Sequence, residues 1–102
     1  MSLGDTISEN RKERGLTQKD LAASIQKPDG KSITPQYLND IEHDRRNPTS
    51  PELIEQIARA LNLQPELLFY KAGTMPPGLI DDSVSNEQVL AAFEAFREKL
   101  KS

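Results

Sequence analysis

The chain has 102 residues, 35% hydrophobic and 28% charged, with a formal net charge of -3; that size fits one domain with one modest core. It holds no cysteine, which excludes disulfides and thiolate metal sites and fits a cytoplasmic protein. No run of about 18 apolar residues occurs, so no membrane helix is expected, and Met1-Ser2-Leu3-Gly4-Asp5 lacks the basic-then-apolar order of a secretory signal.

The charge is unevenly spread. Residues 1–50 hold eight Lys/Arg and eight Asp/Glu, which cancel, while residues 51–102 hold five and eight, which accounts for the whole excess. Net acidity argues against a nucleic-acid partner. A phosphate-binding face, however, needs only local positive charge, and the first half permits one.

In chain order, the first helix is expected over residues 3–14. Leu3, Ile7 and Asn10 share a face, and Gly15 suits the left-handed C-terminal position. Thr17 caps a second helix over residues 18–26. Thr34 caps a third, with Pro35 at its first position, where the missing N–H costs nothing; Asn47-Pro48 stops it. Thr49-Ser50-Pro51-Glu52 opens a fourth, and Thr49 and Glu52 have capping-box spacing. Leu53, Ile54, Ile57, Ala58 and Leu61 give that helix a broad apolar face, and Asn62 ends it. Pro65 starts a short fifth helix through Leu67, Leu68 and Phe69, closed by Gly73. Thr74-Met75-Pro76-Pro77-Gly78 and Asp81-Asp82-Ser83 form a break. A last helix over residues 86–101 follows, with Ser85 and Gln88 at capping-box spacing. The fold class is all-α. Residues 1–73 form a five-helix domain; residues 74–102 form a Pro/Gly linker and a C-terminal amphipathic helix.

The second and third helices read "GLTQKDLA" and "ITPQYLNDIEHDRRNP". Together they resemble the helix-turn-helix of the Cro/repressor-type (XRE) family of bacterial and phage DNA-binding regulators. The resemblance covers residues 3–73 and includes the five-helix count. It implies that the third helix lies in the major groove, where base pairs present distinct donors and acceptors. Its outer face would then read bases with Gln36, Asn39 and Asp40, and with Tyr37 nearby, while Leu38 and Ile41 face inward. Gln and Asn side chains can each pair with adenine.

Phosphate contacts are expected at Thr17 and Gln18, which start the second helix, and at Arg45 and Arg46, which follow the third. Two cations there also suit a helix C-terminus. The resemblance makes Gln18 a brace for the reading helix. The brace partner in relatives is often a Gln at the position held here by Pro35, and Gln36 is the substitute. Ala22 keeps the second helix slim where the third crosses it. The resemblance also pairs Glu42 with Arg11 as a structural ion pair. Asp44 stands where relatives commonly have Gly, and puts an acid close to the expected phosphate path.

One departure lies between these helices. The turn is about six residues longer than is typical, with residues 27–32 as the extra material. Asp29-Gly30 is a tight-turn signal, and a longer loop costs little. Lys27 and Lys31 flank the turn and are expected on the DNA backbone; the alternative is a passive, disordered insertion.

The remaining residues hold no enzyme signature. His43 is read as a partner of a helix C-terminus. Asp81 and Asp82 are solvated linker charge, with nothing to position them as an acid/base pair. No metal cluster, phosphate loop or nucleophile–base pair is apparent, and no cofactor is expected. In the last helix, Val89, Phe93, Phe96 and Leu100 have the spacing of a heptad seam. That seam can pack on the chain's own fourth and fifth helices, join two subunits, or dock another protein.

The sequence therefore points to a DNA-binding transcriptional regulator, a repressor acting as a homodimer on double-stranded DNA. Two alternatives stand beside it. One is an antitoxin-type protein that neutralises a partner through its C-terminal helix. The other is an adaptor that no longer binds DNA, which the acidic net charge favours.

Overall fold

A computed structural model describes residues 1–48, 50–79 and 81–102. They form α1 (Leu3–Glu13), α2 (Gln18–Ala23), α3 (Pro35–Glu42), α4 (Pro51–Ala60), α5 (Pro65–Ala72) and α6 (Asn86–Lys101).

Local chemistry sets most of the helix starts. The Ser2 hydroxyl accepts from Asp5 N–H at 3.1 Å, and the Thr34 hydroxyl accepts from Tyr37 N–H at 3.0 Å. Thr17 and Asp20 form a reciprocal capping box on α2, and Ser85 and Gln88 form one on α6. Pro35, Pro51 and Pro65 each take the first helical position. Gly15 and Gly73 end α1 and α5 with positive φ, 69° and 75°, where a Cβ would be strained. The capping box expected between Thr49 and Glu52 involves a residue outside the described ones; Ser50 is the N-cap of α4.

Two helices stop earlier than expected. α2 ends at Ala23, with Ser24 as its C-cap. Beyond it Ile25 is fully buried and accepts from Ile33 N–H at 2.9 Å, so this stretch trades helix for a cross-loop pairing. α3 ends at Glu42, well before Asn47-Pro48, because Asp44 turns to a left-handed φ of 59°.

One core serves the first five helices. Leu3 and Ile7 of α1, Leu21 and Ala22 of α2, Leu38 and Ile41 of α3, Ile54 and Ile57 of α4, and Leu68 and Phe69 of α5 are all buried in it. The tightest crossing is between α1 and the end of α3. A Cβ added at Gly4 would lie 2.4 Å from the Glu42 carbonyl oxygen and 2.6 Å from that of Ile41. Only a glycine lets the backbones meet there. By contrast, none of the α6 residues is buried.

Candidate nucleic-acid interface

The site starts from a buried charge pair. Arg11 on α1 donates to Glu42 on α3 through Nε at 2.7 Å and Nη2 at 3.0 Å, and its Nη1 donates to the Leu16 carbonyl at 2.7 Å. Both residues are buried. Such a fork fixes position and angle at once, so the pair sets how α3 sits on α1.

The left-handed turn after α3 does the same from the other side. The Asp44 carboxylate accepts from the Ser2 hydroxyl at 2.6 Å and from Gly4 N–H at 3.0 Å. Its negative charge sits at the N-terminal end of α1, where the helix dipole favours it. The acid expected near the phosphate path is thus engaged in capping α1.

Next to Glu42 lies Gln18. Its Nε2 donates to Glu42 Oε1 at 3.0 Å and to Asn39 Oδ1 at 3.1 Å. The expected substitution of Gln36 for the missing brace partner is therefore corrected. Asn39 and Glu42 are three apart on the side of α3 that meets α2, whereas Gln36 is one turn away and donates to Asp40 Oδ1 at 3.1 Å.

The outer face of α3 is ordered by its own contacts. Asp40 accepts from Gln36 and from Arg45, whose Nε and Nη2 lie 3.1 and 3.0 Å away. Gln36 is exposed, and Asn39 and Asp40 are half-buried. Tyr37 is packed partly against the core, and the Arg46 guanidinium stands 5.4 Å from its ring centroid. His43 caps α3, with Nδ1 donating to the Asn39 carbonyl at 2.8 Å. Thr17 is exposed at the start of α2. The Asp20 carboxyl beside it is held below its ordinary pKa by the Thr17 N–H and hydroxyl bonded to it.

Residues 27–32 form an ordered hairpin. Gln26 and Ser32 bridge in antiparallel fashion, Lys27 N–H donates to the Lys31 carbonyl at 2.8 Å, and Gly30 N–H closes the turn onto the Lys27 carbonyl at 2.9 Å. Asp29 is drawn into the turn, accepting from Lys31 N–H at 2.9 Å. Lys27 and Lys31 face each other across the pairing and are exposed; residues opposed in this way carry their side chains on one side. The hairpin is held at its base by Gln56 of α4, whose amide accepts from Gln26 N–H and donates to the Gln26 carbonyl, both at 2.8 Å.

Farther away, the Phe96 ring of α6 meets the Tyr70 ring of α5, with centroids 5.9 Å apart. Beneath it lies a groove of about 760 Å³ whose lining includes Tyr70, Met75, Leu79, Phe93 and Phe96. Val89, Phe93, Phe96 and Leu100 remain exposed. Asp81 has more structure than solvated linker charge: it accepts from the Ser83 N–H and hydroxyl, and these bonds lower its pKa.

Sequence reasoning missed Gly4, the capping role of Asp44 and the Gln56 clamp. The Asp20 cap had a signal in its three-residue spacing from Thr17.

A family model described as helix-turn-helix matches residues 7–68. The HTH-type transcriptional regulator DdrOP3 of Deinococcus deserti is 36% identical over 89 residues, which cover 79% of this chain and 64% of that protein. The immunity repressor protein of Bacillus phage phi105 is 42% identical over 64 residues, covering 63% and 40%. The chain thus spans less than two thirds of either relative. Among solved structures, the clp gene regulator ClgR of Corynebacterium glutamicum superposes with a TM-score of 0.55 at 22% identity, over 97% of this chain and 82% of its own. The SinR protein/SinI protein complex gives 0.54 at 19% identity, over 98% and 99%. At these identities the structural likeness is one of fold.

Proposed function

Because the chain belongs to the Cro/repressor-type (XRE) helix-turn-helix family of transcriptional regulators, we propose that it is itself a sequence-specific binder of duplex DNA, acting in the cytoplasm as a homodimeric repressor without catalysis. α3 is the reading helix. The observation that carries this reading is the mounting of α3. A buried Arg11–Glu42 fork fixes it from inside, while Gln36 and Asp40 stand on its outer face and Asn39 is half-buried at the edge that meets α2. A helix presented in this way matches the width of the major groove.

The cations sort around it. Arg45 and Arg46 follow α3, and Lys27 and Lys31 sit together on the hairpin. They are assigned to phosphates, with Thr17 and Gln18 at the start of α2. Two copies would place their reading helices in successive major grooves, about 34 Å apart, on a two-fold-symmetric site. The uncovered face of α6 is assigned to the subunit seam. The same exposed face supports a second reading, in which α6 docks a different protein, as an antitoxin would.

A salt titration of DNA binding tests the proposal. Log affinity should fall steeply with log salt, and replacing Lys27 and Lys31 with alanine should flatten the slope by about one unit per lysine. Salt-insensitive or absent binding would favour an adaptor role instead.

A further inference from the structure

We infer that the exposed face of α6 is closed by α6 of a second copy of this chain, lying antiparallel to it. Val89 then packs against Leu100 of the partner subunit, and Phe93 against Phe96 of the partner subunit. The paired rings also roof the groove between α5 and α6, which one chain leaves open. This deepens the assignment of α6 to the subunit seam and rests on it.

The face comes first. Val89, Phe93, Phe96 and Leu100 recur at intervals of four, three and four residues, the spacing by which two helices interlock their side chains. They are 39%, 44%, 48% and 58% exposed. The body shields only part of this stripe. Phe96 meets Tyr70, and Phe93 and Phe96 line the groove together with Tyr70, Met75 and Leu79.

A second α6 is a matched occupant. Intervals of four, three and four read the same from either end, so an antiparallel copy meets each apolar residue with an apolar residue. The two-fold axis passes between Glu94 and Ala95, and the contact is isologous. Two Val89–Leu100 layers then flank two Phe93–Phe96 layers. Phe93 and Phe96 belong both to the groove and to these central layers, so the partner's Phe93 and the partner's Phe96 pack across its open side.

Charge sets the direction, because parallel copies would satisfy the same spacing. Residues 81–93 hold Asp81, Asp82 and Glu87 and no Lys or Arg, whereas residues 94–101 hold Arg97, Lys99 and Lys101 against Glu94 and Glu98. Glu87 lies in the first turn of α6, and Lys99 and Lys101 lie in the last. Antiparallel packing sets the acidic end of one helix beside the basic end of the other and opposes the two helix dipoles. Parallel packing sets lysines beside lysines, and like charges side by side are disfavoured.

Engineered thiols test the direction, and the chain has no cysteine of its own to interfere. Val89→Cys and Leu100→Cys are made separately in the full chain, mixed, and oxidised mildly. Neither residue is buried in one chain, so both variants should melt like the parent, and sedimentation should show both as dimers. In the antiparallel pair the two copies of residue 89 stand about 16 Å apart along the helix axis, too far for a disulfide, which needs Cα atoms within about 7 Å. The mixture should therefore give a covalent dimer of one Val89→Cys chain and one Leu100→Cys chain, in excess over either self-linked dimer by about tenfold. Self-linked dimers from each variant alone would show a parallel pair; the inference would be overturned and the seam reading kept. A sedimenting dimer that links in neither way would move the seam away from α6 and overturn both. A full chain that sediments as a monomer would overturn both as well.

Discussion

Residues 3–73 and residues 74–102 are both mainly helical, yet they are held by different physics. In the first region every helix contributes to one core, and long-range polar bonds join helices far apart in sequence. In the second, α6 has a capping box, an acid in its first turn and lysines in its last, and its Phe96 ring makes a tilted contact with Tyr70 of the body. An isolated helix of about 15 residues is marginal in water, and four apolar residues of α6 are 39% to 58% exposed. The body therefore has a core of its own, whereas α6 carries an exposed apolar face. This difference supports placing DNA reading in the first region and assembly in the second.

The sharpest way to break the body is at its buried charge. Glu42→Ala leaves the Arg11 guanidinium buried and unpaired, and should cost about 3–5 kcal/mol. Thermal melting checks this, and an unchanged transition would show that the pair does not set the α1–α3 packing. Gly4→Ala comes next. The added methyl would press on the backbone of Glu42, and overpacking of this kind costs about 1–3 kcal/mol. Denaturant unfolding should show a lower midpoint.

These two residues also show what the sequence reveals and what it hides. Glu42 was legible because the helix-turn-helix resemblance assigned it a partner. Thr17, Thr34 and Ser85 were legible because a cap and its helix lie three residues apart. Gly4 carried no local signal: its role depends on carbonyls about forty residues away, brought close only by the fold. Asp44 looked like a misplaced acid for the same reason, since the N–H it caps belongs to α1. The brace partner of Gln18 was misassigned because the substitute was sought next to Pro35, whereas the helical face selected Asn39. The tight turn was expected from Asp29-Gly30, but the clamp of the hairpin it closes, Gln56, lies on another helix.

Smaller effects sharpen the contrast. Truncation after Thr74 keeps the α5 cap, in which Thr74 N–H donates to the Phe69 carbonyl at 3.1 Å. Because no residue of α6 is buried, the body should keep its stability within about 0.5 kcal/mol. If α6 is the seam, the truncated chain should sediment as a monomer; a retained dimer would move the seam elsewhere.

The smallest effect concerns pH. The Asp20 carboxyl is held below its ordinary value of 3.8 by the Thr17 bonds. A depressed folded pKa means that the α2 cap contributes fully above the unfolded value and is lost as pH falls through the folded one. The midpoint of Asp20→Asn should therefore lose less than the parent's on acidification below pH 3.8, in paired melts at pH 6 and 3.

The division of labour on the α3 face is tested most directly by comparing variants on a selected site and on random DNA at one salt concentration. Gln36→Ala and Asn39→Ala should each weaken binding to the site by about 1–3 kcal/mol and leave binding to random DNA almost unchanged. Arg45→Ala and Arg46→Ala should weaken both nearly equally. If the two pairs of variants lose affinity alike on the two DNAs, α3 does not read bases through this face.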